Sequence, residues 1–140
     1  MTRAEIVDLI DRRHLAYSRR DIDAMTALHA ESGVVESLLA GTVTGRQAIG
    51  DVYRAWFTAF PDVQILNDDL IVDGDRAAQV VIVSGTDQGG LMGLPASHKP
   101  FRVPIVHIYT FGAGLITHER RLYDFTGLLV QIGVLKAKPA

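Results

Sequence analysis

Two strand-like runs in the last third of the chain each carry ionisable residues among apolar neighbours. Ile105-Val106-His107-Ile108-Tyr109-Thr110-Phe111 is β-branched and aromatic and closes on Gly112-Ala113-Gly114, the pattern of a strand entering a turn. Leu115 to Asp124 reads as the return strand. Alternation places Phe101, Val103, Ile105, His107 and Tyr109 on one face of the first run. On the second run it groups Ile116, His118, Arg120, Leu122 and Asp124. If both faces look inward, a His and an Asp enter an apolar interior, the usual make-up of a small-molecule pocket. A carboxylate desolvated there has a raised pKa. It can then serve as both general base and general acid near neutral pH.

Each of these residues also has a plainer reading. Asp124 is either that acid/base or the cap of the turn at Phe125-Thr126-Gly127. His107 either meets a ligand carbonyl or is a core histidine bonded to a neighbouring backbone carbonyl. Arg120, roughly 13 Å along the strand from Asp124, either holds a carboxylate or enolate oxygen or is a solvated edge residue. Arg121 must then point the other way. His118 shares the parity of Asp124 and is a further pocket candidate, while Glu36 is either a second buried carboxylate or exposed at a strand end. Tyr17, Trp56 and Phe60 are either core or pocket wall. His14, His29 and His98 make no metal spacing with one another, and His118-Glu119 is too slight for zinc. The chain has no Cys, which excludes disulfides, thiolate catalysis and Cys-based metal sites. No metal site is expected.

The elements that must position these residues are read as follows. Thr2 and Glu5 form a capping box, and Ile6, Leu9, Ile10, Arg13 and Tyr17 repeat at helical spacing. Arg19-Arg20-Asp21 interrupts that helix, and a second runs from Ile22 to Ala30 until Gly33 breaks it. Val34 to Leu39 reads as a strand and Gly41 to Gly45 as a turn. A third helix starts near Arg46, continues through Tyr53, Trp56 and Phe60, and stops at Pro61-Asp62. Strands follow at Val63–Val72 and Arg76–Ser84 around the Asp73-Gly74-Asp75 turn. Gly85 to Lys99 is a glycine-rich loop, and Gly127 to Gly133 a short closing helical turn. Helices first and antiparallel strands after describe an α+β domain with helices covering one face of a curved sheet, a cone with room for a ligand inside.

The 140 residues make one domain, 1–140, large enough for a real core. A net charge of −2 with scattered Lys and Arg gives no basic face, so no nucleic acid partner is expected. The N-terminus is charged from the start, and no apolar run reaches the length of a membrane span. A soluble, cytoplasmic protein with no membrane partner is the expectation.

Several ordered segments carry a resemblance. Gly45-Arg46-Gln47-Ala48-Ile49, Phe60-Pro61-Asp62, Gly74-Asp75-Arg76, Gly85-Thr86, Gly93-Leu94-Pro95 and Asp124-Phe125-Thr126-Gly127-Leu128-Leu129-Val130-Gln131-Ile132-Gly133 span nearly the whole chain. In this order the chain resembles the SnoaL-like polyketide cyclases of the nuclear-transport-factor-2-like superfamily, whose cystatin-like roll also serves ketosteroid isomerase and limonene epoxide hydrolase. The resemblance implies a cone-shaped α+β fold, often a homodimer, and ring closure of a hydrophobic small molecule by intramolecular aldol condensation without a cofactor. It implies Asp124 as general acid/base and His107 as a pocket residue. The chain departs from the family at Gly85-Thr86-Asp87, where Gly-Thr-His is usual, and at Pro95-Ala96-Ser97-His98-Lys99 for Pro-Thr-Gly-Lys. It also carries Arg120 where an aromatic residue is common. Function therefore stands between such a cyclase, an epoxide-hydrolase-like hydrolase and a non-catalytic binding or dimerisation module, since one fold hosts all three.

Overall fold

A computed structural model describes residues 1–136. Thr2 and Glu5 close the expected capping box on α1 (Arg3–Ser18), with Thr2 Oγ1 accepting from the Glu5 amide and Glu5 accepting from the Thr2 amide. Asp21 caps α2 (Ile22–Ala27). This helix is shorter than its sequence pattern. The chain leaves it at Leu28, and His29 already opens β1 (His29–Ser37). Gly33 is therefore a strand residue rather than a helix breaker, and a Cβ there would sit 3.0 Å from the Ala30 carbonyl oxygen. The segment read as a turn is a short strand, β2 (Gly41–Thr44), which pairs back on β1.

The remaining elements are α3 (Arg46–Ala59), β3 (Gln64–Asp73), β4 (Arg76–Thr86), β5 (Pro100–Gly112), β6 (Leu115–Tyr123) and α4 (Phe125–Gln131). The strands form one curved sheet in the order β2-β1-β6-β5-β4-β3, antiparallel except where β1 runs parallel to β6. Register shifts interrupt β1 against β6, β3 after Asn67, and β6 against β5 at Thr117. Such bulges bend a strand and re-aim its side chains.

The helices lie in the concavity. At one end Ile6, Leu9 and Ile10 of α1 pack with Leu28, Ala77, Tyr109, Phe111 and Ile116. At the other, Tyr17, Met25, Tyr53, Phe57 and Phe60 pack against Val81, Val83, Phe101, Val103 and Ile105 and against Leu128 and Ile132. Arg13 falls between these clusters on α1, and His107 falls between them on β5. Both are buried. A polar layer thus crosses an otherwise apolar interior.

Candidate active site

The β6 register shift decides which groups meet. Thr110 pairs with His118 but Phe111 pairs with Ile116, so Thr117 is an extra residue. Beyond it the inward positions are Glu119, Arg121 and Tyr123, and the expected face of His118, Arg120 and Asp124 turns outward. His118 and Arg120 lie on the outer surface, where Glu36 Oε2 is 2.6 Å from His118 Nε2 and 3.3 Å from Arg120 Nε. Asp124 is exposed and caps α4, its Oδ1 accepting from the Gly127 amide at 2.8 Å. The shared face expected for His107 and Asp124 is corrected accordingly. A strict two-residue alternation cannot foresee an inserted residue.

His107 does face a cavity, one of about 40 Å³ lined by Arg13, Tyr17, Tyr53, Trp56, Arg121 and Tyr123 together with Ser37, Leu39, Val52, Ile65, Val83 and Ile105. Tyr17 and Trp56 belong to its wall, joined by a 2.7 Å hydrogen bond from the indole Nε1 to the phenol oxygen. Phe60 does not. It is core, packed edge-on against Trp56 and tilted against Phe101, with ring centroids 4.9 and 4.5 Å away. Leu39 and Val52 are shared with a wider surface groove of about 520 Å³, which Val43, Ala48, Ala55, Leu91 and Met92 line.

Four residues of the polar end were not singled out by sequence reasoning: Glu119, Arg121, Arg13 and Tyr53. Glu119 is fully buried. Its Oε2 accepts from Arg121 Nε at 2.9 Å, with Arg121 Nη2 at 2.7 Å. Its Oε1 lies 3.2 Å from Arg13 Nη2 and 3.3 Å from His107 Nδ1, both at ion-pair distance but out of hydrogen-bond alignment. Arg13 Nη2 also donates to the Tyr53 phenol at 3.2 Å, and that phenol meets His29 Nε2 at 3.2 Å. The Arg121 guanidinium lies over the Tyr53 ring, 4.6 Å from its centroid. Arg13 left a signal in the sequence, a cation within the apolar stripe of its helix. Glu119 and Arg121 were hidden by the bulge.

Burial would push the Glu119 carboxyl up, but Arg121, Arg13 and the contact from His107 outweigh it and hold the carboxyl well below its usual range. Burial, then the charge of Arg13, lowers His107 to about 4 against the pull of Glu119. Burial likewise lowers His29 to about 4. Near pH 7 both imidazoles are neutral. Two guanidiniums then face one carboxylate, and the site keeps one positive charge in excess. The negative charge of the carboxylate 3.3 Å from Nδ1 favours the His107 tautomer with the proton on that nitrogen, which leaves the lone pair on Nε2. Burial raises Tyr17 to about 12, so it stays a neutral phenol. Among the described residues no group of His, Asp or Glu gathers that could hold a metal ion.

The family model for SnoaL-like polyketide cyclases matches residues 8–132. Among solved structures the chain is similar to TsrD from Streptomyces laurentii, with 26% identity, a TM-score of 0.86, and coverage of 96% of this chain and 99% of that one. It is similar in fold to AclR from Streptomyces galilaeus, described as a candidate hydroxylase, at 23% identity and TM-score 0.85 over 99% and 87% of the two chains. The same holds for a candidate SnoaL-like polyketide cyclase from Jannaschia sp. CCS1, at 19% identity and TM-score 0.86 over 97% and 94%. Comparison with curated proteins finds no match by sequence. No helix among the described residues is long and apolar enough to cross a membrane.

Proposed function

The chain belongs to the SnoaL-like polyketide cyclase family, and from that premise we propose that it is a cofactor-independent enzyme closing a ring in a hydrophobic, oxygenated small molecule by intramolecular aldol condensation. His107 is the base of this reading. The observation that carries it is a neutral imidazole at the cavity wall whose Nδ1 faces the buried Glu119. Nε2 takes a proton from carbon beside a substrate carbonyl. The enolate oxygen settles against the guanidinium side of the cavity, where excess positive charge in a dry site stabilises it strongly. The enolate carbon then bonds to a second carbonyl carbon of the same molecule, and the new alkoxide takes the proton back from His107. No electrons are gained or lost. Tyr17, Trp56, Tyr123 and the aliphatic wall hold the apolar body, and the groove beyond Leu39 and Val52 is the way in.

Exchange of the α-protons of acetophenone in deuterated water, followed by NMR, tests the first step without knowledge of the substrate. His107→Asn is expected to slow exchange by about 10²–10⁴-fold, the usual worth of a positioned base. Asp124→Asn should leave exchange unchanged, because Asn is an equally good helix cap. Exchange that survives in the first variant and vanishes in the second returns the catalytic role to Asp124.

We also propose a homodimer formed through the outer face of the sheet. Leu66 and Ile71 are 60% and 61% exposed there, beside Ile82, Ala78 and Leu122 on the same face. An apolar sheet face of this extent is normally covered.

A further inference from the structure

The cavity's polar end has a charge that no described residue neutralises. The Arg13 side chain is only 3% exposed, lines the cavity, and among the described residues its Nε has no hydrogen-bond partner. Among the described residues Glu119 is the one carboxylate in contact with it, and that carboxylate already accepts from Arg121. The other neighbours are neutral: Tyr53, Tyr109 and the two histidines. Arg46, which donates to the His29 carbonyl at 2.9 Å, adds positive charge rather than removing it. Burying an unbalanced guanidinium is costly unless an anion completes the site.

We propose that this end of the cavity binds the ionised oxygen of an aromatic acid, so that the ligand is an organic anion seated on Arg13 with its ring against Trp56 and Tyr17. The inference deepens the reading above and rests on the same cavity being the ligand site. Arg13 is prepared for this role from behind. Its Nη2 donates to the Tyr53 phenol oxygen, which also lies 3.2 Å from His29 Nε2. An anion placed there has a chemical consequence. Arg13 is the largest charge holding His107 down, so neutralising it makes the imidazole a stronger base once the ligand has arrived.

Trp56 is the only tryptophan of the chain and lines the cavity, so its fluorescence reads occupancy directly. At pH 7 the wild-type protein is titrated with benzoate and with benzamide, its neutral isostere. Benzoate is expected to bind about ten- to a hundredfold more tightly, the worth of a charge-assisted bond over a neutral one. Arg13→Met should bring benzoate down to the benzamide level. If that variant does not fold, the wild-type comparison decides alone, with Tyr53→Phe expected to weaken benzoate several-fold and benzamide little. Equal binding of the two ligands, a preference for the amide, or no binding of either at millimolar concentration overturns the proposal. Turnover plays no part in the reading. Benzoate selectivity in a protein that exchanges no α-proton upholds the anion site and sinks the enzyme, and exchange without selectivity does the reverse.

Discussion

Glu119 touches two guanidiniums and one imidazole with a single buried carboxylate. Glu119→Gln would strand both arginines beside a neutral amide. Breaking one partner of a buried cluster costs about 3–5 kcal/mol, and denaturant unfolding should show a loss of that size. It would also release the tautomer of His107, so α-proton exchange should fall together with stability. The histidines set a second expectation. His29 and His107 titrate near 4 in the folded protein against roughly 6.5 in an unfolded chain. As pH falls the unfolded chain takes up protons first. The stability these buried neutral rings contribute is complete above about 6.5 and declines until about 4, by about 3 kcal/mol for each ring. Glu119, held low, withdraws its own contribution below that range, in the same direction. Urea midpoints should therefore drop between pH 7 and pH 4.5, and His107→Gln should flatten the drop. Constant midpoints across that interval would contradict burial of neutral rings.

One inserted residue on β6 separates the pattern readable in the sequence from the site that forms. Deleting Thr117 would remove the bulge and restore plain alternation with Glu119 and Arg121 still inward, because Ile116 keeps Phe111 and His118 keeps Thr110 as partners. The variant is expected to keep its cooperative unfolding transition and its near-ultraviolet circular dichroism; loss of both would show that Thr117 is not the extra residue of this strand. Much of the framework was legible before any coordinates. The Thr2–Glu5 box, the helical stripe of α1, the α3 stop at Pro61 and the inward parity of β5 follow from local chemistry that tertiary contacts do not override. The α2–β1 boundary was not, because Gly33 signals a break equally well in a helix and at a close strand contact. On β5, where no bulge intervenes, His107 could be placed correctly. On β6 each parity assignment past Thr117 inverted, and with it the carboxylate moved from Asp124 to Glu119.

At the scale of the molecule, the curved sheet has two faces with different tasks. Its inner face carries the cavity, and its outer face carries Leu66, Ile71 and Leu122 in the open. Light scattering at micromolar concentration should give twice the chain mass, and Leu122→Glu should shift it towards the monomer. A monomer mass for the wild type would remove the proposed interface while leaving the cavity reading intact. The α+β architecture exists in this account to hold one imidazole neutral, dry and correctly protonated beside Glu119. Nitrogen NMR of the histidine rings across pH tests that most directly. The account predicts a His107 ring with its proton on Nδ1, a free Nε2 and a titration near 4. A ring protonated on Nε2, or one that titrates near 6.5 as a free histidine does, would contradict it.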